Sequence, residues 1–216
     1  MIAIVVGIGP GLGIALARRF GEGGATIIAL GRNLESTDKL SEVLRNEGIT
    51  AYSYAADIGD ETDLRRACGL IKAEHGDPDI VLFNASINPP GTPGEVSIDD
   101  VVTAFKVGAV GALVSLQEFM PAMRERGNGT FFTTGGGLGL HAWAPATALG
   151  MSKAALRNFT DAAARDLDGS GVHVATLIIN GVIGAPGLEP AAIAAKFWEL
   201  QQQQPGAWDT EIIFTG

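Results

Sequence analysis

The sequence predicts a doubly wound α/β domain on a parallel sheet of about seven strands, with helices on both faces. Three observations predict it: short apolar runs alternate with longer segments of helical period, a glycine-rich turn joins the first run to the first helix, and 30 glycines are spread through the 216 residues. Apolar runs without polar alternation read as strands covered on both faces. Alternation with helices calls for parallel pairing through right-handed crossovers.

The strands are expected at Ile2–Val6, Thr26–Leu30, Ala51–Ala55, Ile80–Phe83, Thr130–Thr133, Val172–Ile178 and Glu211–Phe214, each bounded by turn residues. Amphipathic helices are expected at Gly11–Glu22, Leu34–Asn46, Glu61–Glu74, Ile98–Arg126, Thr147–Asp168 and Pro190–Gln203. A chain of this length fills one α/β core, and no repeat or linker divides it, so one domain over residues 1–216 is the natural reading. The run Gln201–Gln204, before Pro205, frays a helix end. The stretch Ile87–Val96 holds Pro89, Pro90 and Pro93 and follows the fourth strand, where loops line the ligand crevice of an open parallel sheet.

Charge narrows the partners. Twenty-four acidic against 15 basic residues give a net charge of −9, which repels nucleic acid in the absence of a basic cluster. The apolar start at Met1–Val6 has no basic region before it, and no stretch reaches membrane-spanning length, so a soluble cytoplasmic protein is expected, without a membrane partner. Cys68 is the one cysteine and falls on a helix, so it reads as a packed core thiol. His75 and His173 lack metal-like spacing to a partner, and no metal site is expected.

The first strand runs into Gly7-Ile8-Gly9-Pro10-Gly11-Leu12-Gly13, and helical pattern follows at once. Glycines there let the backbone approach a pyrophosphate, and the free amides and dipole of the helix start favour the anion. A glycine turn after the first strand of a βαβ unit is stronger evidence than the motif alone. The second strand ends in Gly31-Arg32-Asn33, where an NAD-selective site usually carries a carboxylate for the ribose hydroxyls. The Arg32 guanidinium pairs instead with a 2′-phosphate, so NADP(H) is the expected cofactor, with NAD(H) second.

These residues resemble the short-chain dehydrogenase/reductase family, whose motif Gly-x-x-x-Gly-x-Gly is met by Gly7, Gly11 and Gly13. The resemblance extends over nearly the whole chain and implies a Rossmann-type fold. It places Asp57 and Ile58 beside the adenine, Asn84-Ala85-Ser86 at the family's Asn-Ala-Gly turn, and Asn180-Gly181-Val182-Ile183 where a Pro-Gly segment contacts the nicotinamide. The implied cofactor-binding set is therefore Gly7, Gly9, Gly11, Leu12, Gly13, Arg32, Asn33, Asp57, Ile58, Asn84, Ala85, Lys153, Gly181, Val182 and Ile183.

The same resemblance implies catalysis by a tyrosine four residues before a lysine, a serine about thirteen residues before the tyrosine, and an asparagine in the preceding long helix. Lys153 matches the lysine, but the other positions hold Leu149, Gly136 and Gly108. The two tyrosines, Tyr52 and Tyr54, lie on the third strand. Hydride transfer to a carbonyl leaves an oxyanion that needs a proton, and neither leucine nor glycine supplies one. His141 is the best substitute donor, with Thr133 and Thr134 or bound water behind it. Lys153 is expected to hold ribose hydroxyls and lend charge. Gly150-Met151-Ser152 loosely matches a hydrolase elbow but sits in a helical segment, so Ser152 is not expected to be a nucleophile.

The segment Gly184–Glu189 is shorter than the substrate-covering insertion of the family, which implies a reduced lid. Two functions follow: an NADP(H)-dependent oxidoreductase acting on a small carbonyl or alcohol with divergent catalysis, or an inert NADP(H)-binding sensor, regulator or partner subunit. Small residues at Gly108, Ala109, Gly111 and Ala162–Ala164 permit close helix approach and suggest a homodimer or homotetramer, although internal packing explains them equally well.

Overall fold

The computed structural model describes residues 1–216. Its strands are β1 (Ile2–Val6), β2 (Thr26–Gly31), β3 (Ala51–Ala55), β4 (Ile80–Phe83), β5 (Gly129–Gly136), β6 (Val172–Ile179) and β7 (Glu211–Phe214), and they form one all-parallel sheet in the order β3-β2-β1-β4-β5-β6-β7. Alternate residues of β1 serve opposite faces. Ala3 and Val5 pack against Leu16 and Phe20, while Ile4 and Val6 pack with Leu64 and Phe83.

On the first face lie α1 (Leu12–Glu22), α2 (Leu34–Asn46) and α7 (Pro190–Gln201), contributing Leu16, Leu44 and Phe197 to a 24-residue core cluster. The second face carries α3 (Glu61–His75), α4 (Ile98–Phe105), α5 (Gly111–Arg126) and α6 (Thr147–Asp166), and an equally large cluster centres on Cys68, Phe119 and Leu156. Burial pushes the Cys68 thiol up to about 12, as expected of a core cysteine. No helix is long and apolar enough to cross a membrane.

Two departures from the predicted elements bear on the site. Thr130–Thr133 is too short for β5, which runs on through its glycines to Gly136 in register with Ile179. Glycine weakens an isolated strand, but here Gly135 is required, since a Cβ would lie 2.7 Å from Thr176 Oγ1 and 2.9 Å from Ile178 Cγ1. The predicted single helix Ile98–Arg126 is interrupted by a π-helical turn at Lys106–Val110. The Ser152 hydroxyl donates to the Ala104 carbonyl at 2.9 Å, meeting an acceptor beside the widened turn. Helices α6 and α7 each stop two residues short of their predicted ends.

Two of the small residues, Gly108 and Gly111, are required by packing inside the molecule. A Cβ on Gly108 would collide with the Ser152 hydroxyl, and one on Gly111 would lie 2.6 Å from Ile58 Cγ2. His173 is structural too: it is buried, stacks on Trp208 with centroids 4.7 Å apart, and its Nε2 lies 2.9 Å from the Asp209 carbonyl.

Candidate functional site

The sheet reverses its winding between β1 and β4, and an open cleft of about 930 Å³ lies where the carboxyl ends of the strands meet that switch point. Its floor is the turn after β1. Gly7 takes φ +88°, and its N–H donates to the Leu30 carbonyl at 2.8 Å. A Cβ there would lie 2.6 Å from the backbone of Ala85, so glycine is required by both conformation and space.

Helix α1 opens toward this floor without a protein anion of its own. Gly11 is its N-cap with no side-chain cap, and its first turn holds no acidic residue. The first turn-closing bonds come from Ile14, to the Gly9 carbonyl at 2.9 Å, and Ala15, to the Gly11 carbonyl at 3.4 Å, so the N–H groups of Leu12 and Gly13 precede any backbone acceptor. That geometry suits a phosphate. Gly7, Gly9 and Leu12 line the cleft, whereas Gly11 and Gly13 do not; Gly13 is required by packing, since a Cβ would meet Ile8 Cα at 2.8 Å.

Beyond β2, Arg32 is exposed on the cleft wall and joins none of the ion pairs that occupy Arg18, Arg65 and Arg66. Its neighbour Asn33 does not line the cleft. The Asn33 side chain instead caps α2, accepting from the Ser36 N–H at 2.9 Å. Asp57 and Ile58 do line it, although one Asp57 carboxylate oxygen is already held by the Gly59 N–H at 2.9 Å.

Asn84 and Ala85 lie at the centre. The Asn84 amide nitrogen donates to the Gly7 carbonyl at 2.9 Å, and its oxygen accepts from the Thr134 hydroxyl at 3.0 Å. Asn84 thus ties the glycine turn to β5, a positioning role rather than a free ligand contact. This also settles the threonines. Thr134 lines the cleft with its hydroxyl committed, and Thr133 is fully buried 3.0 Å from the Thr160 hydroxyl, outside the cleft.

At the far end, Lys153 is buried on α6 at 7% exposure, and its Nζ donates to the Thr134 carbonyl at 2.7 Å. Burial alone pushes its ammonium down to about 8. Leu149, Gly136, His141 and the segment Gly181, Val182 and Ile183 share this end, and no tyrosine lines any part of the cleft. His141 is exposed on the outer lip, with its N–H bonded to the Gly137 carbonyl at 2.9 Å.

The sequence is similar to the short chain dehydrogenase family over residues 1–190. The chain belongs to that family. It is 29% identical to the oxidoreductase asL5 of Sarocladium schorii across 87% of this chain and 77% of that one. It is also 29% identical to the NADP-dependent 3-hydroxy acid dehydrogenase YdfG of Salmonella typhi, covering 85% of this chain and 73% of the relative. A crystal structure of a short-chain dehydrogenase from Rhodopseudomonas palustris superposes with TM-score 0.88 at 26% identity, covering 100% of this chain and 98% of the other. A metagenomic short-chain oxidoreductase in complex with NADP has the same fold, with TM-score 0.91 at 24% identity and the same coverage. The chain therefore shares the fold of these short-chain dehydrogenases along its full length.

Several cleft residues were not singled out from the sequence. Trp143 is 60% exposed beside the cleft, and Ile8, Leu138 and Val107 also line it. Trp143 had one available signal, an aromatic residue two positions after His141 in a loop beyond β5. The others carry no chemical signature.

The glycines at the catalytic positions are not equivalent. A Cβ on Gly136 would make ordinary contacts of 3.6–3.7 Å with the Lys153 stem, whereas one on Gly108 meets Ser152. Gly136→Ser should therefore change stability by less than about 0.5 kcal/mol. Gly108→Asn should cost about 1–3 kcal/mol through overpacking. Urea denaturation of both variants checks the contrast.

Proposed function

We propose that this short-chain dehydrogenase is an NADP(H)-dependent oxidoreductase that moves a hydride between its cofactor and a carbonyl or alcohol carbon without a tyrosine hydroxyl at the reacting oxygen. One arrangement carries the reading: an uncapped helix start, an unpaired Arg32 and a buried Lys153 lie along a single cleft at the switch point of the sheet. The NADP-dependent relative and the NADP-bound neighbour in fold support the cofactor.

When bound, the reduced nicotinamide supplies the hydride. The chain's own part divides along the cleft. The Leu12 amide at the start of α1 takes the diphosphate, Arg32 takes the 2′-phosphate, and the Gly181–Ile183 segment covers the nicotinamide. Lys153 holds ribose hydroxyls and lends positive charge to the reacting oxygen, and His141 at the lip hands on a solvent proton. A homodimer or homotetramer belongs to the same reading, through outer faces of α4, α5 and α6 that expose Phe105, Leu113 and Met151.

A second reading, an inert NADP(H)-binding sensor, regulator or partner subunit, is favoured by Leu149 and Gly136 beside Lys153, where hydroxyls would be expected. Fluorescence titration tests the part common to both. NADPH should bind more tightly than NADH by about tenfold or more, the worth of a hydrogen-bonded charge pair, and Arg32→Asp should invert that order. Equal affinities before and after the substitution remove the NADP assignment. NADPH consumption with a carbonyl panel then separates the two, since the sensor binds and does not turn over.

A further inference from the structure

We propose that Lys153 captures uncharged aldehydes from the cleft as a Schiff base, a covalent activity separate from hydride transfer and independent of the cofactor assigned above.

Attack by a lysine needs a free lone pair, and the surroundings of Lys153 leave it one. The side chain is buried, and its Nζ is bonded only to a neutral acceptor, the Thr134 carbonyl at 2.7 Å. A neutral amine keeps that bond with one N–H and directs its lone pair away from Thr134. Strands β4 and β5 and the turn Gly137–Gly139 carry no ionisable side chain. The ionisable groups that share the cleft stand apart: Arg32 and Asp57 follow β2 and β3, three or more places along the sheet from β5, and His141 is exposed on the outer lip. Burial alone lowers the ammonium from 10.5 to about 8. About one chain in ten therefore carries the free amine at pH 7, against about one in three thousand for a solvated lysine.

The carbonyl carbon has room beside the amine. A Cβ on Gly136 would have the Cγ, Cδ and Cε of Lys153 as its nearest neighbours, at 3.6–3.7 Å, so the lysine stem is bare on that side. Gly135, Gly137 and Gly139 leave no such room, because a Cβ on each would press on Thr176, Asn180 or the backbone of Lys153. Leu149 lies one helical turn before Lys153 and lines the same end of the cleft. Neither position holds a polar side chain that would tie up the lone pair.

The lone pair forms the C–N bond while the carbonyl π pair moves to oxygen, and that oxygen leaves as water with protons that the nitrogen gives up through solvent. In balance, the lysine ammonium and an aldehyde give a protonated Schiff base and water, with no oxidant or reductant. The adduct keeps one positive charge and one N–H, so the Thr134 carbonyl retains a donor and no further charge is buried. The walls set the ligand class. Leu138, Leu149 and Val182 supply apolar surface, and Trp143 presents an exposed indole that suits an aromatic ring. No second cation stands beside Lys153 to hold a carboxylate, and the net charge of −9 disfavours anions.

The test uses nucleotide-free protein at pH 7 with benzaldehyde and sodium cyanoborohydride, which reduces a protonated Schiff base to a stable secondary amine. Peptide mass mapping then reads each lysine and the amino terminus separately. Lys153 should be benzylated at least tenfold faster than Lys39 or Lys106, both of which are exposed. With glyoxylate, an anionic aldehyde, the preference for Lys153 over Lys106 should fall at least fivefold. Gly136→Val fills the space beside the stem, and the extended backbone at φ −151° accepts valine. It should slow labelling of Lys153 at least fivefold and leave Lys106 unchanged. Should that variant not fold, Gly136→Ala carries the same direction of change. Labelling of Lys153 no faster than that of Lys39 and Lys106 overturns the proposal. An equal preference with glyoxylate overturns the ligand class, and an unchanged Lys153 rate in both Gly136 variants overturns the approach beside Gly136.

Discussion

Gly7→Ala should destabilise the protein by about 3 kcal/mol, seen as a lower urea midpoint at unchanged m-value. Two costs combine. Alanine at φ +88° costs roughly 1–2 kcal/mol. A Cβ placed 2.6 Å from the Ala85 Cα and N must also displace backbone, which adds about 1–3 kcal/mol. Displacement travels, because the Gly7 carbonyl accepts from Asn84, and Asn84 accepts from Thr134 on β5. The same variant should therefore lose NADPH affinity together with stability. Gly9→Ala is the control. Gly9 lines the same turn, but its Cβ would meet nothing within 4 Å, so stability should hold to within about 0.5 kcal/mol. Equal losses at the two positions would show that general loop stiffness, and not contact with Ala85, makes glycine necessary.

That contrast illustrates what the sequence could and could not disclose. The spacing Gly7, Gly11, Gly13 marks a tight turn ahead of a helix, and buried apolar runs such as Ile80–Phe83 mark strands covered on both faces, because each signal is local. The second half of β5 was hidden, since glycine has little strand propensity of its own. Only the Thr176 and Ile178 side chains of β6 make it the residue that fits at Gly135. The π-helical turn was hidden for a related reason. The bond from Ser152 to Ala104 joins residues 48 apart, and no helical period encodes it. Asn33 was legible as a polar residue after β2, but the use of its side chain as the cap of α2 was not. Asn180 was legible as part of a segment, but the packing of its side chain on Gly137, far away in sequence, was not.

Lys153→Met should raise stability at pH 7 while weakening the cofactor site. The ammonium of Lys153 is buried beside a single carbonyl, and burial lowers it from 10.5 to about 8. Below pH 8 both folded and unfolded chains carry this proton, and the folded state bears the full cost of the buried charge. Between about 8 and 10.5 the unfolded chain keeps a proton that the folded chain has released, so wild-type stability climbs with pH across that window. Methionine fills similar volume without charge and should flatten the climb. At pH 7 the gain should be on the order of 2–3 kcal/mol, several degrees in Tm for a chain of this size. Cofactor affinity should move the other way, since the charge that strains the empty fold is the one assigned to the ribose and the reacting oxygen. In the wild type, NADPH affinity should fall as pH rises through about 8, and in Lys153→Met it should be weaker throughout and flat across that range. A variant less stable than wild type at pH 7 would mean that the 2.7 Å bond to the Thr134 carbonyl outweighs desolvation, and that the lysine is held there for the fold rather than for its ligand.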